Sequence, residues 1–277
     1  MHENANCNTV IEDKQHESNL EIGLAKTQTD FEDVFRVVYE QYREFGYVQK
    51  NSACLHVTLW SILPGSYIVM ARRNGEIVGT VTCVLDGTAG LLLDEIAEPQ
   101  LNLLRQQGRR LCELSADASI DQGMGSKTIM EMYRYAHSLV TKFLGITDFV
   151  IAVNPRHENF YKRILLFEQI AEQQLYKKVQ DVPAVPLRLN LCRAEEIYQE
   201  KYGHRSQHRN LHCFFWKDHN DIRETEIDND LHHRNTSINS QLVLTILKKH
   251  NITMLNDPVK YKLFAEEWKE CGTSINK

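Results

Sequence analysis

The sequence predicts an α/β domain followed by a helical extension, and three observations carry this reading. In "SYIVMARRNGEIVGTVTCVL" two apolar, β-branched runs flank Asn74-Gly75, the signature of a tight hairpin turn. A glycine-opened stretch of helical periodicity, "GMGSKTIMEMYRYAHSLVTKFLG", leads into the uninterrupted apolar run "ITDFVIAVN", as a central strand covered on both faces requires. Strand and helix patterns alternate through the first two thirds of the chain, in the order β-α, hairpin, α-β-α-β-α, β-β.

Taken in order, "LEIGLAK" reads as a first strand, and Thr29 or Asp30 is placed to cap the helix "FEDVFRVVYEQYREF". Phe31, Val34, Phe35, Val38 and Tyr42 recur there at three- and four-residue spacing and form its buried face. Residues 47–65 carry no periodic pattern, and Pro64-Gly65 marks a turn before the hairpin. "EPQLNLLRQQGRR" is a helix stopped by Gly108, and "LCELSADAS" a strand. Its alternation puts Glu113, Ser115 and Asp117 on one face and Leu114, Ala116 and Ala118 on the other. "PRHENFYKRILLFE" is a short helix, with "QIAEQQLYKKV" and "VPAVPLRLNL" as closing strands, so the domain spans residues 20–193 after a polar tail, 1–19, expected to be disordered. Residues 194–277 form the extension. "AEEIYQEKYGHRSQHRNLHCFFW" is expected to be helical, residues 218–240 to be a mobile polar linker, and "INSQLVLTILKKHN" and the stretch after Asp257-Pro258 to be helices that pack back on the domain.

Composition narrows the function. Hydrophobic residues at 42% and charged residues at 25% are globular averages. A net charge of −5 argues against the basic footprint of nucleic-acid binding. Seven scattered cysteines with no CxxC pair favour reduced thiols, hence a cytoplasmic compartment. No apolar run reaches the length of a membrane helix, and the N-terminus lacks a signal-peptide core.

The order of elements, the glycine-opened helix and "N…FYKR…LFE" resemble the GCN5-related N-acetyltransferase superfamily. "VFRVVYEQYREFGYV", "CELSADAS" and "VNPRHENFYKRILLFE" with "VPAVPLRLNL" resemble, more narrowly, the long-chain N-acyl amino acid synthases of the FeeM type, relatives of the acyl-homoserine lactone (autoinducer) synthases. The resemblance covers roughly residues 20–193. It implies a mixed central sheet with helices on both faces. It also implies transfer of a fatty acyl group from acyl carrier protein to the amine of an amino acid, with acyl-phosphopantetheine or acyl-CoA as cosubstrate and no permanently bound cofactor.

Aminolysis of a thioester needs a base for the amine and donors for the oxyanion. On the resemblance, Glu113 is the candidate base, against the alternative of a solvated edge charge. Ser115 is a candidate donor, and Tyr161 a candidate acid for the leaving thiolate. Gly123, Gly125 and Ser126 at the helix start, with Asn154 and Phe160 on the following segment, would hold the donor's pantetheine arm, although glycines before a helix and asparagine before proline are also ordinary turn residues. Tyr42, Tyr47 and Trp60 could wall an acyl or acceptor pocket, while Tyr39 and Phe45 are expected in the core. Between Lys127 and Lys178 eight Lys/Arg face five Asp/Glu, and Arg156, Lys162 and Arg163 are the candidates for docking an acidic carrier protein.

Two departures bear on the donor and the acceptor. Autoinducer synthases have arginine where Ala116 stands, a role that Arg109 or Arg110 could take. CoA-dependent relatives have Gln or Arg where Ile120 stands, which favours a carrier-protein donor. His204, His208 and His212 recur every four residues, but without a carboxylate partner no metal is expected. An acyl-CoA N-acyltransferase, an autoinducer synthase and a catalytically silent acyl- or carrier-protein-binding sensor remain as alternatives.

Overall fold

The computed structural model describes residues 20–121, 125–217 and 220–270; Gly123 lies outside them. The eight strands are β1 (Leu20–Leu24), β2 (Ser66–Arg73), β3 (Glu76–Leu85), β4 (Leu111–Ser119), β5 (Asp148–Val153), β6 (Glu168–Gln169), β7 (Gln174–Tyr176) and β8 (Val182–Asn190). They pair in the order β1-β2-β3-β4-β5-β8-β6, with β7 also on β8. All pairings are antiparallel except β4 with β5, so the sheet is mixed.

The sheet's two faces carry separate apolar layers, as period-2 alternation demands. Along β2, Val69 and Ala71 join the core that holds Ile129, Met132 and Leu139, whereas Ile68 and Met70 join the one that holds Phe31, Val34 and Val38. The first group belongs to α3 (Lys127–Ser138) and the π-helical turn after it; the second belongs to α1 (Gln28–Glu44). A third cluster gathers α2 (Asp94–Gln106) with β4, β5, β7 and β8 on the α1 side of the sheet.

The cap of α1 differs from expectation. Thr27 is the N-cap: its hydroxyl accepts from Asp30 N at 3.1 Å, and Asp30 Oδ2 accepts from Thr27 N at 2.9 Å. Asp30 thus closes a capping box as its fourth residue. The hairpin turn is as expected, with φ of 54° at Asn74 and 85° at Gly75.

The extension departs from the sequence reading in two places. The expected helix over residues 194–216 breaks at Gly203, after α5 (Leu191–Tyr202), so His204, His208 and His212 share no helix; His212 is buried and stacked on Trp216. Among the described residues no group of three His, Cys, Asp or Glu is placed to hold a metal ion. The segment expected to be a mobile linker is a helix, α6 (Asn220–Ser237). Its apolar content is low, but Ile227 and Leu231, four residues apart, are buried, and polar contacts anchor it. Asp230 accepts from Leu24 N at 3.1 Å, Lys26 Nζ at 2.6 Å and Tyr135 Oη at 2.7 Å, while Arg234 donates to the Pro64 and Ser66 carbonyls at 2.7 Å each. Gly23 leaves room opposite: a Cβ there would stand 2.9 Å from Asp230 Oδ2, and the carboxylate would have to shift. The last helices, α7 (Ser240–Lys249) and α8 (Pro258–Glu270), join the apolar core on the α1 side through Val243, Ile246, Phe264 and Trp268.

Candidate active site

β4 and β5 pair only over Leu111–Glu113 and Asp148–Val150, and among the described residues the ladder ends there. Past that point the strands part, and a cavity of about 810 Å³ opens between them, the C-terminal half of α1 and residues 56–61. On the other side of β4, Ser115 pairs with Thr82 and Ala118 with Thr80. Two residues, Ala116 and Asp117, therefore face one on β3, which is a β-bulge. Ala116 is held at φ +50°, a conformation that costs an alanine about 1 kcal/mol or more and that clusters at functional sites.

The bulge corrects the expected alternation. Ala116 and Ala118 turn toward the α1 core, whereas Leu114 stays with the α3 core. Asp117 turns toward α3, where its carboxylate accepts from Tyr133 Oη and, at 3.3 Å, from Tyr161 Oη. The two tyrosine hydroxyls are 2.7 Å apart. Burial raises the Asp117 carboxyl to about 6, against the pull of the two hydroxyls.

Glu113 is not a solvated edge charge. It lies on an inner strand, is 2% exposed, and lines the cavity. Burial raises its carboxyl to about 8, opposed by the Leu93 amide, which donates to Oε2 at 2.9 Å, and by the charge of Lys178. A carboxyl poised near working pH suits a general base, and two cavity carboxyls held at different values suit separate proton tasks.

The cavity gathers Glu113, Ser115, Asn154, Tyr161, Tyr42, Tyr47 and Trp60. Tyr42 packs edge-on against Tyr47 at 5.5 Å, and Asn154 Nδ2 donates to Tyr47 Oη at 3.1 Å. Asn154 also starts the turn, accepting from Arg156 N at 3.1 Å. Tyr39 is core, but Phe45, expected there too, is 51% exposed beside Tyr47 at the cavity. Gly125, Ser126 and Phe160 do not line the cavity. They meet at the start of α3, where Ser126 caps the helix by accepting from Ile129 N and a Cβ on Gly125 would lie 3.6 Å from Phe160. Arg156, Lys162 and Arg163 are exposed on and just before α4 (Glu158–Arg163), with Lys162 paired to Glu158 at 2.9 Å. Neither Arg109 nor Arg110 replaces the arginine absent at Ala116: Arg109 is paired with Asp148 at 2.6 Å and Arg110 donates to the Leu144 carbonyl.

Sequence reasoning missed four contributors. His56, held neutral by burial that lowers it to about 4, and Lys178 line the cavity, as do Met254 and Lys260 from the extension. No local sequence signal marks them; they arrive from distant turns and loops and, for Lys260, from the start of α8.

A family model, N-acyl amino acid synthase FeeM, matches residues 33–190. The chain belongs to the FeeM family. Among solved structures, FeeM, an N-acyl amino acid synthase from uncultured soil microbes, is similar with 21% identity and a TM-score of 0.58, over 65% of this chain and 94% of that one. TofI, solved in a ternary complex with an inhibitor and MTA, matches at 15% identity and TM-score 0.49, over 62% of this chain and 91% of that one. The AHL synthase LasI matches at 16% and 0.45, over 62% and 89%. No curated protein sequence matches. The fold is the mixed sheet flanked by helices that the motifs implied, shared with FeeM, and the chain is an acyltransferase of the FeeM family. Met254 and Lys260 lie beyond the segment matched by the FeeM model yet contribute to its cavity. No helix among the described residues is long and apolar enough to cross a membrane.

Proposed function

We propose that the protein transfers a fatty acyl group from the thioester of acyl carrier protein to the α-amine of an amino acid. The observation that carries the reading is Glu113, buried at the split between β4 and β5 with its carboxyl near 8 and facing a cavity large enough for a chain and an acceptor. The amine loses its proton to Glu113, and its lone pair attacks the thioester carbonyl. The tetrahedral oxyanion is met by Ser115 Oγ and by β4 backbone amides beyond the split. Collapse breaks the C–S bond; the thiolate takes the proton of Tyr161 Oη, which Asp117 and Tyr133 hold in place, and the nitrogen's second proton, passed through water, restores Tyr161. Val34, Phe35, Val38, Leu59 and Val84 on the cavity wall suit an alkyl chain.

A carrier-protein donor is supported by Ile120, 54% exposed at the rim where CoA enzymes of this fold have a polar or basic residue. It is also supported by the exposed Arg156, Lys162 and Arg163 near the α3 start, which suit an acidic partner. In this reading Gly125, Ser126 and Phe160 at that start receive the pantetheine arm, and its phosphate meets the helix N-terminus. The test is bacterial expression followed by mass spectrometry of cell and medium extracts. New N-acyl amino acids, absent with Glu113→Gln, are the expected result; soluble protein with no new amide in any extract would remove the reading.

A further inference from the structure

Lys178 sits on the short turn Lys177–Val179 between β7 and β8 and lines the cavity that holds Glu113. Its surroundings are specific. Nζ donates to the Leu92 carbonyl at 2.9 Å and lies over the Trp60 ring at 4.3 Å from the centroid. The Trp60 indole is itself fixed by donating to the Gly90 carbonyl at 3.0 Å. The nearest carboxylate oxygen, from Glu95, is 3.7 Å away, beyond hydrogen-bond length, and Glu95 already accepts from Lys177 N at 2.8 Å. An ammonium carries three donors, of which Leu92 takes one. The side chain is 28% exposed, so this charge is partly desolvated.

The Leu92–Leu93 peptide links Lys178 to the base. Its carbonyl accepts from Lys178 Nζ and its N–H donates to Glu113 Oε2, both at 2.9 Å. Peptide bond lengths then limit the separation of Glu113 Oε2 and Lys178 Nζ to about 8 Å. In an α-amino acid the ammonium nitrogen and the carboxylate oxygens are about 3 Å apart on bonds of the same kind. A charge-assisted hydrogen bond of about 2.8 Å at each end completes the span.

We infer that Lys178, braced by Trp60 and the Leu92 carbonyl, is the anchor for the acceptor's α-carboxylate, so that the site selects a free α-amino acid by gripping its carboxylate while Glu113 takes its amine. This rests on the amine-acylation reading above and adds to it the residue that recognises the acceptor class. Lys178 lies within the matched segment, but no motif marks it.

The experiment uses the purified full-length chain with dodecanoyl acyl carrier protein. It is offered either an equimolar mixture of the twenty amino acids or an equimolar mixture of their α-carboxamides, with products counted by mass spectrometry. The readout is the acid-to-carboxamide ratio, in which any effect of Lys178 on Glu113 cancels. The wild type is expected to prefer acids by about 10- to 100-fold, the size of one hydrogen bond to a charged group. Lys178→Met is expected to bring the ratio near unity, and Lys178→Arg to keep a preference. A wild type that acylates both mixtures equally overturns the anchor while leaving the acylation reaction standing. A wild type that forms no amide from either removes the reaction and the anchor together. An unchanged ratio in Lys178→Met also overturns it. If Lys178→Met makes no product at all, the ratio in Lys178→Arg decides: a retained preference supports the anchor, and a lost one overturns it.

Discussion

Replacing Glu113 by glutamine should make the protein less active and, at alkaline pH, more stable. The Glu113 carboxyl titrates near 4.5 when unperturbed and near 8 in the fold, because it is buried. Between those values the native state keeps a proton that the unfolded chain has lost. The native state therefore binds more protons, and stability falls as pH rises across that window. At about 1.4 kcal/mol per pKa unit the loss is on the order of 5 kcal/mol by pH 9. Glutamine has no proton to lose, and its carbonyl can still accept from the Leu93 amide. Urea unfolding at pH 5, 7 and 9 should show Glu113→Gln close to wild type at pH 5 and more stable by roughly 4 kcal/mol at pH 9. Wild-type kcat/KM should climb through pH 8 as the base ionises, whereas the variant should lose about 10²- to 10⁴-fold and that pH limb with it. A stability difference that does not vary with pH would refute the burial argument. Turnover equal to wild type would refute the base.

Tyr161→Phe removes the hydroxyl that contacts Tyr133 and Asp117; single-turnover thiol release should slow about 100-fold with little change in acceptor KM, and an unchanged rate would contradict a proton donor there. Asp230→Ala strands three donors that tie α6 to β1 and α3, so thermal melting should fall by roughly 5–15 °C, whereas a mobile linker would give no shift. Charge reversal of Arg156, Lys162 and Arg163 together should raise KM for acyl carrier protein about tenfold at low salt, less at high salt, and leave acyl-pantetheine turnover unchanged; equal effects on both donors would rule out a docking role.

The parts of this account legible in the sequence are those that depend on local chemistry. Asn74-Gly75 announces its turn because both residues adopt positive φ at low cost. The apolar run of β5 announces a strand covered on both sides, and "CELSADAS" places Glu113 next to the strand's split. The bulge at Ala116 was not legible, since alanine has no preference for φ +50°, and it is this bulge that sends Asp117 to Tyr133 and Tyr161. Helix α6 is not legible because its sequence is poor in apolar residues, while its anchors are hydrogen bonds across about two hundred positions, as the one Leu24 N donates to Asp230. Lys178 gave no signal for the same reason: its partners, Leu92 and Trp60, are brought to it only by the fold.

The most direct measurement of the central claim is a reconstitution with purified protein, dodecanoyl acyl carrier protein and the twenty amino acids, with products identified by tandem mass spectrometry. The account predicts dodecanoyl amides on the α-amine, formed by the wild type and lost in Glu113→Gln. Free dodecanoic acid with no amide, or amide formation undiminished in Glu113→Gln, would contradict it.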